Sequence, residues 1–177
     1  MPNRRDFFKT VAGATAGAFA WGRNPLYAAQ TPPARRQVTI AGRRIRVVDI
    51  HAHCTVPEVA TVVKGTAFEK NAATGDRGIG NSQIELIDKE GIDIQALSIN
   101  QWWWYEVPDR SLADRIVRAQ NEGLARWVSM HPDRFVAFAS TSLQFPDLAA
   151  EQLDYGVKQL GLRGAAIGGH MNGEDLL

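Results

Sequence analysis

From about residue 36 onward the sequence alternates between short apolar runs and longer stretches with helical spacing, and this constrains the fold more than any other feature. QVTI-AGRR-IRVVDI reads as a short strand, a turn at Gly42 and a second strand ending at Ile50. Its apolar run is continuous rather than alternating, as expected of a strand buried on both faces. A loop of about thirty residues follows, marked by Gly65, Gly75, Gly78 and Gly80. Ser82-x-x-Glu85 has the form of a capping box opening a short helix, with Ile84 and Ile87 inward and Gly91 closing it. The pattern then recurs: IDIQALSI (92–99) reads as a strand, and Ser111 as the cap of a helix carrying Leu112, Ile116, Leu124 and Val128, which ends near His131-Pro132. RFVAFAS (134–140) is the next strand. Pro146 and Asp147 open a helix with Leu153, Val157 and Leu160 on one face, Gly161 stops it, and LRGAAI (162–167) is a fourth strand.

Strand–helix alternation of this kind predicts a parallel α/β fold with right-handed crossovers. An eight-stranded α/β barrel takes about 250 residues, whereas this chain has 177. The pattern therefore fits either a small open α/β sheet or the N-terminal half of a (β/α)8 TIM barrel, occupying residues 31–177.

Residues 1–30 read differently. Arg4-Arg5 precede Asp6-Phe7-Phe8-Lys9, and a weakly hydrophobic Ala/Gly-rich run covers 11–20. Ala28-Ala29 and Pro32-Pro33 then close the segment. The apolar run is too short to span a bilayer but suits a signal peptide. RRDFFK resembles the core of a twin-arginine signal, which implies the twin-arginine export machinery as a partner, a periplasmic destination and no stable membrane anchor. A basic amphipathic helix of the mature protein is the alternative. The formal net charge of +1 gives no reason to expect a nucleic-acid partner, and a single cysteine, Cys54, excludes an internal disulfide.

The apolar run VVDI ends in HAHC. Alternate residues on a strand share a side, so His51 and His53 project together at the carboxyl end of a strand, where α/β folds place their ligands. Two neutral imidazoles side by side suit a divalent metal, commonly Zn²⁺. Asp49, two residues earlier, is expected on the same side as a hydrogen-bonding partner behind the metal ligands. Cys54 is a soft donor by type, but the alternation turns it away from the pair, as a packing residue.

VVDIHAHCTVPE together with HPDRFVAFASTSLQFPDLAAEQLDYGVKQLGLRGAAIGGHMNG resembles the amidohydrolase superfamily (amidohydrolase family 2). Within it the likeness is to the branch that includes aminocarboxymuconate-semialdehyde decarboxylase, over residues 47–177. Relatives with Glu-x-His in place of His-x-His, the resorcylate-type decarboxylases, are expected to fit less well. The resemblance implies a metal-dependent (β/α)8 barrel in which His51 and His53 are two of the metal ligands. It also implies catalytic groups, among them a later histidine and an aspartate, that would lie beyond Leu177.

Other residues fall on the same face. Trp102, Trp103 and Trp104 follow the second barrel strand and are candidates for the substrate pocket, or for a packing wedge or partner-facing patch. His170 follows the fourth strand and is a pocket candidate or a loop residue, while His131, which precedes a strand, reads as structural. Arg110 and Arg163 have the charge to bind a carboxylate, but arginines at element ends are usually solvated.

The resemblance implies non-oxidative decarboxylation of a small unsaturated or aromatic carboxylic acid. Metal-dependent hydrolysis of a lactone or amide on the same scaffold is one alternative, and a catalytically incomplete fragment, inactive alone, is another. A half-barrel leaves both edge strands unpaired, which favours pairing into a homodimer.

Overall fold

The structure is a computed structural model that describes residues 35–72, 78–99, 106–171 and 173–175. The leader expected over 1–30 and the candidates Trp102, Trp103 and Trp104 lie outside the described residues.

The short strand and the turn at Gly42 form as expected, but the second strand is split in two. β1 (Thr39–Ile40) and β2 (Arg43–Arg44) make an antiparallel hairpin. Its two turn residues, Ala41 and Gly42, have positive φ of 49° and 75°, as a two-residue hairpin turn requires. The chain leaves the hairpin at Ile45, and β3 (Val48–Cys54) begins afresh and continues through both histidines. The hairpin is fastened to the sheet by Asp93, whose carboxylate accepts from Arg35 at 2.5 Å, from Arg44 and from the Val47 amide at 2.7 Å.

The long connection after β3 is folded. It holds α1 (Val59–Val63) and a 3₁₀ turn (Glu69–Ala72), because Val56, Val59 and Val63 supply an apolar set that buries completely. α2 (Asn81–Glu90) starts one residue before the expected capping box, with Gly80 at the cap and no side-chain cap bond. Gly91 ends it in the left-handed conformation, φ 78°, its N–H bonded to the carbonyls of Ile87 and Asp88.

β4 (Ile94–Ile99) leads to α3 (Arg110–Met130). Asp109, not Ser111, caps α3, its carboxylate accepting from the Leu112 amide at 2.6 Å. Ile116, Val117 and Leu124 are fully buried, and Leu112 nearly so. β5 (Phe135–Ala137) precedes α4 (Pro146–Lys158), whose buried face is Leu148, Ala149, Gln152 and Gly156, while Val157 is exposed. β6 (His170–Met171) and β7 (Glu174–Asp175) form a small antiparallel hairpin.

β3, β4 and β5 are parallel neighbours in sequence order, with β4 central. The segment expected as a fourth strand takes the next position but is reduced to one parallel bridge, Ala139 with Ala165. The Ala139 amide donates to the Gly164 carbonyl at 2.7 Å and the Ala166 amide to the Ala139 carbonyl at 3.0 Å. Gly164, at φ 139°, breaks the ladder there. Among the described residues the order does not reverse, as it would at the switch point of a doubly wound sheet; successive strands step in one direction, as in a barrel wall.

The core lies between this sheet and the helices, around Leu97, Phe135, Ile87, Ile116 and Leu124. The other sheet face is more open: Val48 is 51% and Ile50 75% exposed, contrary to a β3 buried on both faces. Among the described residues β3 has a partner on one side only. No described helix is long and apolar enough to cross a membrane.

Candidate metal centre

β3 carries an irregularity where the chemistry is. Asp49 is opposite Gln95, yet Ala52 is opposite Leu97 and His53 opposite Ser98. Two residues, Ile50 and His51, therefore stand against one, Ala96, which is a β-bulge. The extra residue resets the alternation. Ala52 and Cys54 face the helices and are buried, whereas Ile50, His51 and His53 face the open side.

The two imidazoles converge. Nε2 of His51 and Nε2 of His53 are 2.9 Å apart, with ring centroids 4.6 Å apart and planes at 77°. Metal–imidazole bonds are about 2.0–2.1 Å long, so both nitrogens are within reach of one cation. His53 Nδ1 is 3.0 Å from Ser98 Oγ.

Asp49 does not share their side. Because the bulge intervenes, its carboxylate points toward the helices, where Oδ2 accepts from Gln95 Nε2 at 2.9 Å. Gln95 in turn accepts from Gln83 of α2 at 2.7 Å. Asp49 Oδ1 reaches only the backbone N–H of His51, at 3.1 Å. It holds the strand rather than the ring.

The histidines lie on the wall of a cavity of about 510 Å³, lined also by Ile50, Ser98, Ile99, Phe138 and Ala165 to Ile167. These residues sit at the carboxyl ends of β3 and β4, just past β5, and in the bridging segment, so the cavity opens where α/β barrels bind ligands. Its volume is ordinary for a small-molecule site, and among the described residues its walls are apolar apart from the two imidazoles and one hydroxyl.

The remaining candidates fall elsewhere. His170 is exposed in the β6–β7 hairpin, its Nδ1 accepting from the Gly173 amide at 3.4 Å, and it is not among the described residues lining the cavity. His131 ends α3, with its ring 4.4 Å from that of Trp127, as a structural residue would. Cys54 is 1% exposed and burial pushes its thiol up to about 12. Arg110 is paired with Asp147 through two bonds of 2.9 and 2.7 Å and carries no free charge toward the cavity.

Among the described residues no cluster of three or more His, Cys, Asp or Glu side chains forms a metal cage. The described residues bring two imidazole nitrogens together, fewer than the four donors a closed site uses. Sequence reasoning missed Ser98 and Gln95, although both are polar residues inside the otherwise apolar run IDIQALSI. It also missed the cavity walls Ile50, Phe138 and Ile167, which only the bulge and the strand order identify.

Comparison with known proteins agrees with this geometry. The sequence profile of the family described as Amidohydrolase matches residues 48–177. The gamma-resorcylate decarboxylase of Rhizobium sp. (strain MTP-10005) is 41% identical over 91 residues, covering 51% of this chain and 28% of the relative. The 2-amino-3-carboxymuconate-6-semialdehyde decarboxylase of Dictyostelium discoideum is 29% identical over 97 residues, covering 53% and 26%. The resorcylate enzyme is thus nearer in sequence, the reverse of the order that the His-x-His spacing alone suggests. Among solved structures, a 2,6-dihydroxybenzoate decarboxylase from Rhizobium superposes with a TM-score of 0.59 at 33% identity, covering 71% of this chain and 39% of that one. A dihydroxybenzoic acid decarboxylase from Polaromonas sp. JS666, with bound manganese and the inhibitor 2-nitroresorcinol, gives 0.59 at 29% identity, covering 70% and 38%. The chain spans less than half the length of each of these relatives.

Proposed function

This chain belongs to the amidohydrolase family, its fold being part of that family's α/β barrel, and from that premise we propose that it supplies the metal-binding wall of a decarboxylase acting on an aromatic or unsaturated carboxylic acid. The observation that carries this reading is the convergence of the His51 and His53 Nε2 atoms, 2.9 Å apart, on the wall of an apolar cavity at the carboxyl ends of the strands. Support comes from the activities for which the relatives are named, decarboxylation of dihydroxybenzoates and of a carboxymuconate semialdehyde.

His51 and His53 would hold a divalent cation, which when bound polarises substrate oxygens or lowers the pKa of a coordinated water. Ile50, Ile99, Phe138 and Ile167 give the cavity apolar walls suited to the faces of an unsaturated or aromatic ring. Asp49 keeps the His51 backbone in place. The chemistry is non-oxidative: a carbon–carboxylate bond breaks, CO₂ leaves, and a proton takes its place on carbon. Zn²⁺ is the ion expected from paired imidazoles; the manganese of the Polaromonas neighbour makes Mn²⁺ the ion to load beside it. We also propose twin-arginine export, supported by Arg4-Arg5 ahead of the weak apolar run. Normal processing of R4K/R5K would count against it.

The test is His51→Ala with His53→Ala, followed by elemental analysis. The wild type is expected to retain about one Zn²⁺ or Mn²⁺ per chain and the double variant only background. Stoichiometric metal in the double variant would sink the assignment. CO₂ release from a panel of hydroxybenzoates, set against ring opening of lactones, separates decarboxylation from hydrolysis.

A further inference from the structure

β4 is almost entirely buried, yet it carries two polar side chains, Gln95 at 5% and Ser98 at 7% exposure. A buried polar group costs free energy unless it is bonded, so the partners of these two matter. Both reach across to β3, Ser98 to the His53 ring and Gln95 to Asp49, which accepts from the His51 amide.

Ser98 stands directly opposite His53 in the ladder. Its Oγ lies 3.0 Å from His53 Nδ1 and 3.5 Å from the Ala52 carbonyl; with the hydroxyl hydrogen turned to that carbonyl, its lone pairs accept the Nδ1–H of His53. With the proton fixed on Nδ1, the His53 Nε2 carries a lone pair, and that is the atom aimed at His51. Gln95 acts on the other face. A bulge leaves the extra residue's amide without its ladder partner; here the His51 N–H is taken by Asp49 Oδ1, while Gln95, itself accepting from Gln83, donates to the second oxygen of Asp49.

We propose that Gln95 and Ser98 are positioning residues for the metal pair: Ser98 fixes the tautomer and plane of the His53 ring, and Gln95, through Asp49, locks the bulge that turns His51 toward it. This rests on the metal reading of the pair, and partners of this kind typically change metal affinity by about 10–100-fold.

The experiment uses the full chain labelled with ¹⁵N-histidine, first without metal and then titrated with Zn²⁺ against a competing chelator. In the wild type, His53 is expected as a single tautomer protonated on Nδ1. Ser98→Ala should mix the tautomers and weaken Zn²⁺ binding at least about tenfold, and Ser98→Thr, which keeps the hydroxyl, should restore both. Gln95→Leu should weaken binding by a similar factor while leaving the His53 tautomer unchanged, and should speed hydrogen exchange at the His51 amide. A wild-type His53 protonated on Nε2, or a folded Ser98→Ala protein with one tautomer and Zn²⁺ affinity within about twofold of wild type, would overturn the proposal. So would a Ser98→Thr protein as impaired as Ser98→Ala. The metal-free spectra are independent of the metal reading: if no Zn²⁺ binds at the pair, that reading fails while the tautomer result still decides the role of Ser98.

Discussion

Cys54 follows His53 directly, yet the strand turns it to the opposite face. Burial holds its thiol near 12, so at neutral pH it is protonated and shut off from solvent. The native protein should therefore resist iodoacetamide at pH 8, with one modification appearing only in denaturant, as read by intact mass spectrometry. Rapid native labelling would place Cys54 at the surface and undo the face assignment for β3. The residues around it show what a sequence can and cannot say. The spacing of His51 and His53 was enough to bring their rings together, because two residues on one strand share a side whatever the neighbours do. The same rule misplaced Asp49, since one bulged residue between Asp49 and Ala52 reverses it. Bulges depend on the partner strand and leave no mark on the strand that bends.

At the scale of elements, the β1–β2 hairpin depends on Asp93. Its hydrogen bond with Arg44 comes first, then that from the Val47 amide, and together with the charge of Arg35 they hold its carboxyl at about 2. A carboxylate of depressed pKa stabilises the fold fully above its unfolded value of about 3.9 and loses that contribution as pH falls toward the folded value. Urea midpoints of the wild type should accordingly drop between about pH 4 and pH 2 more steeply than those of Asp93→Asn, which should be the weaker protein at pH 7. Parallel curves would mean that the latch carries no stability. A second contact is steric. A Cβ at Gly123 would lie 2.2 Å from Val56 Cγ1, where α3 crosses the connection after β3. Gly123→Ala should cost roughly 1–3 kcal/mol, and Val56→Ala in the same chain should return part of it; additive losses in denaturant unfolding would contradict a direct clash. Element order was legible from the apolar runs, and so was the stop at Gly91. The caps were not: Asp109 and Ser111 are both good N-caps by type, and only the Leu112 amide, bonded to Asp109, distinguishes them. The sequence likewise offered no sign that Gly164 would cut the fourth strand to a single bridge.

For the molecule as a whole, sequential parallel strands put the ends of β3 and β4 and the segment past β5 around one apolar cavity, with both histidines on its wall. Strand–helix alternation predicted the parallel strands, because their connections leave few topologies open, but it left an open sheet and a half-barrel both standing. The cavity walls were not predictable, since Ile50 and Ile167 are 75% and 58% exposed apolar residues that pattern reading assigns to a core. We propose that His51 and His53 bind one divalent cation as a pair, and the other two of the chain's four histidines, His131 and His170, serve as controls. Titrating Zn²⁺ into ¹⁵N-histidine-labelled protein reports on all four at once. The Nε2 resonances of His51 and His53 are expected to shift together and saturate at the same added metal, while those of His131 and His170 stay in place. Shifts centred on His170 or His131, or on only one member of the pair, would contradict it.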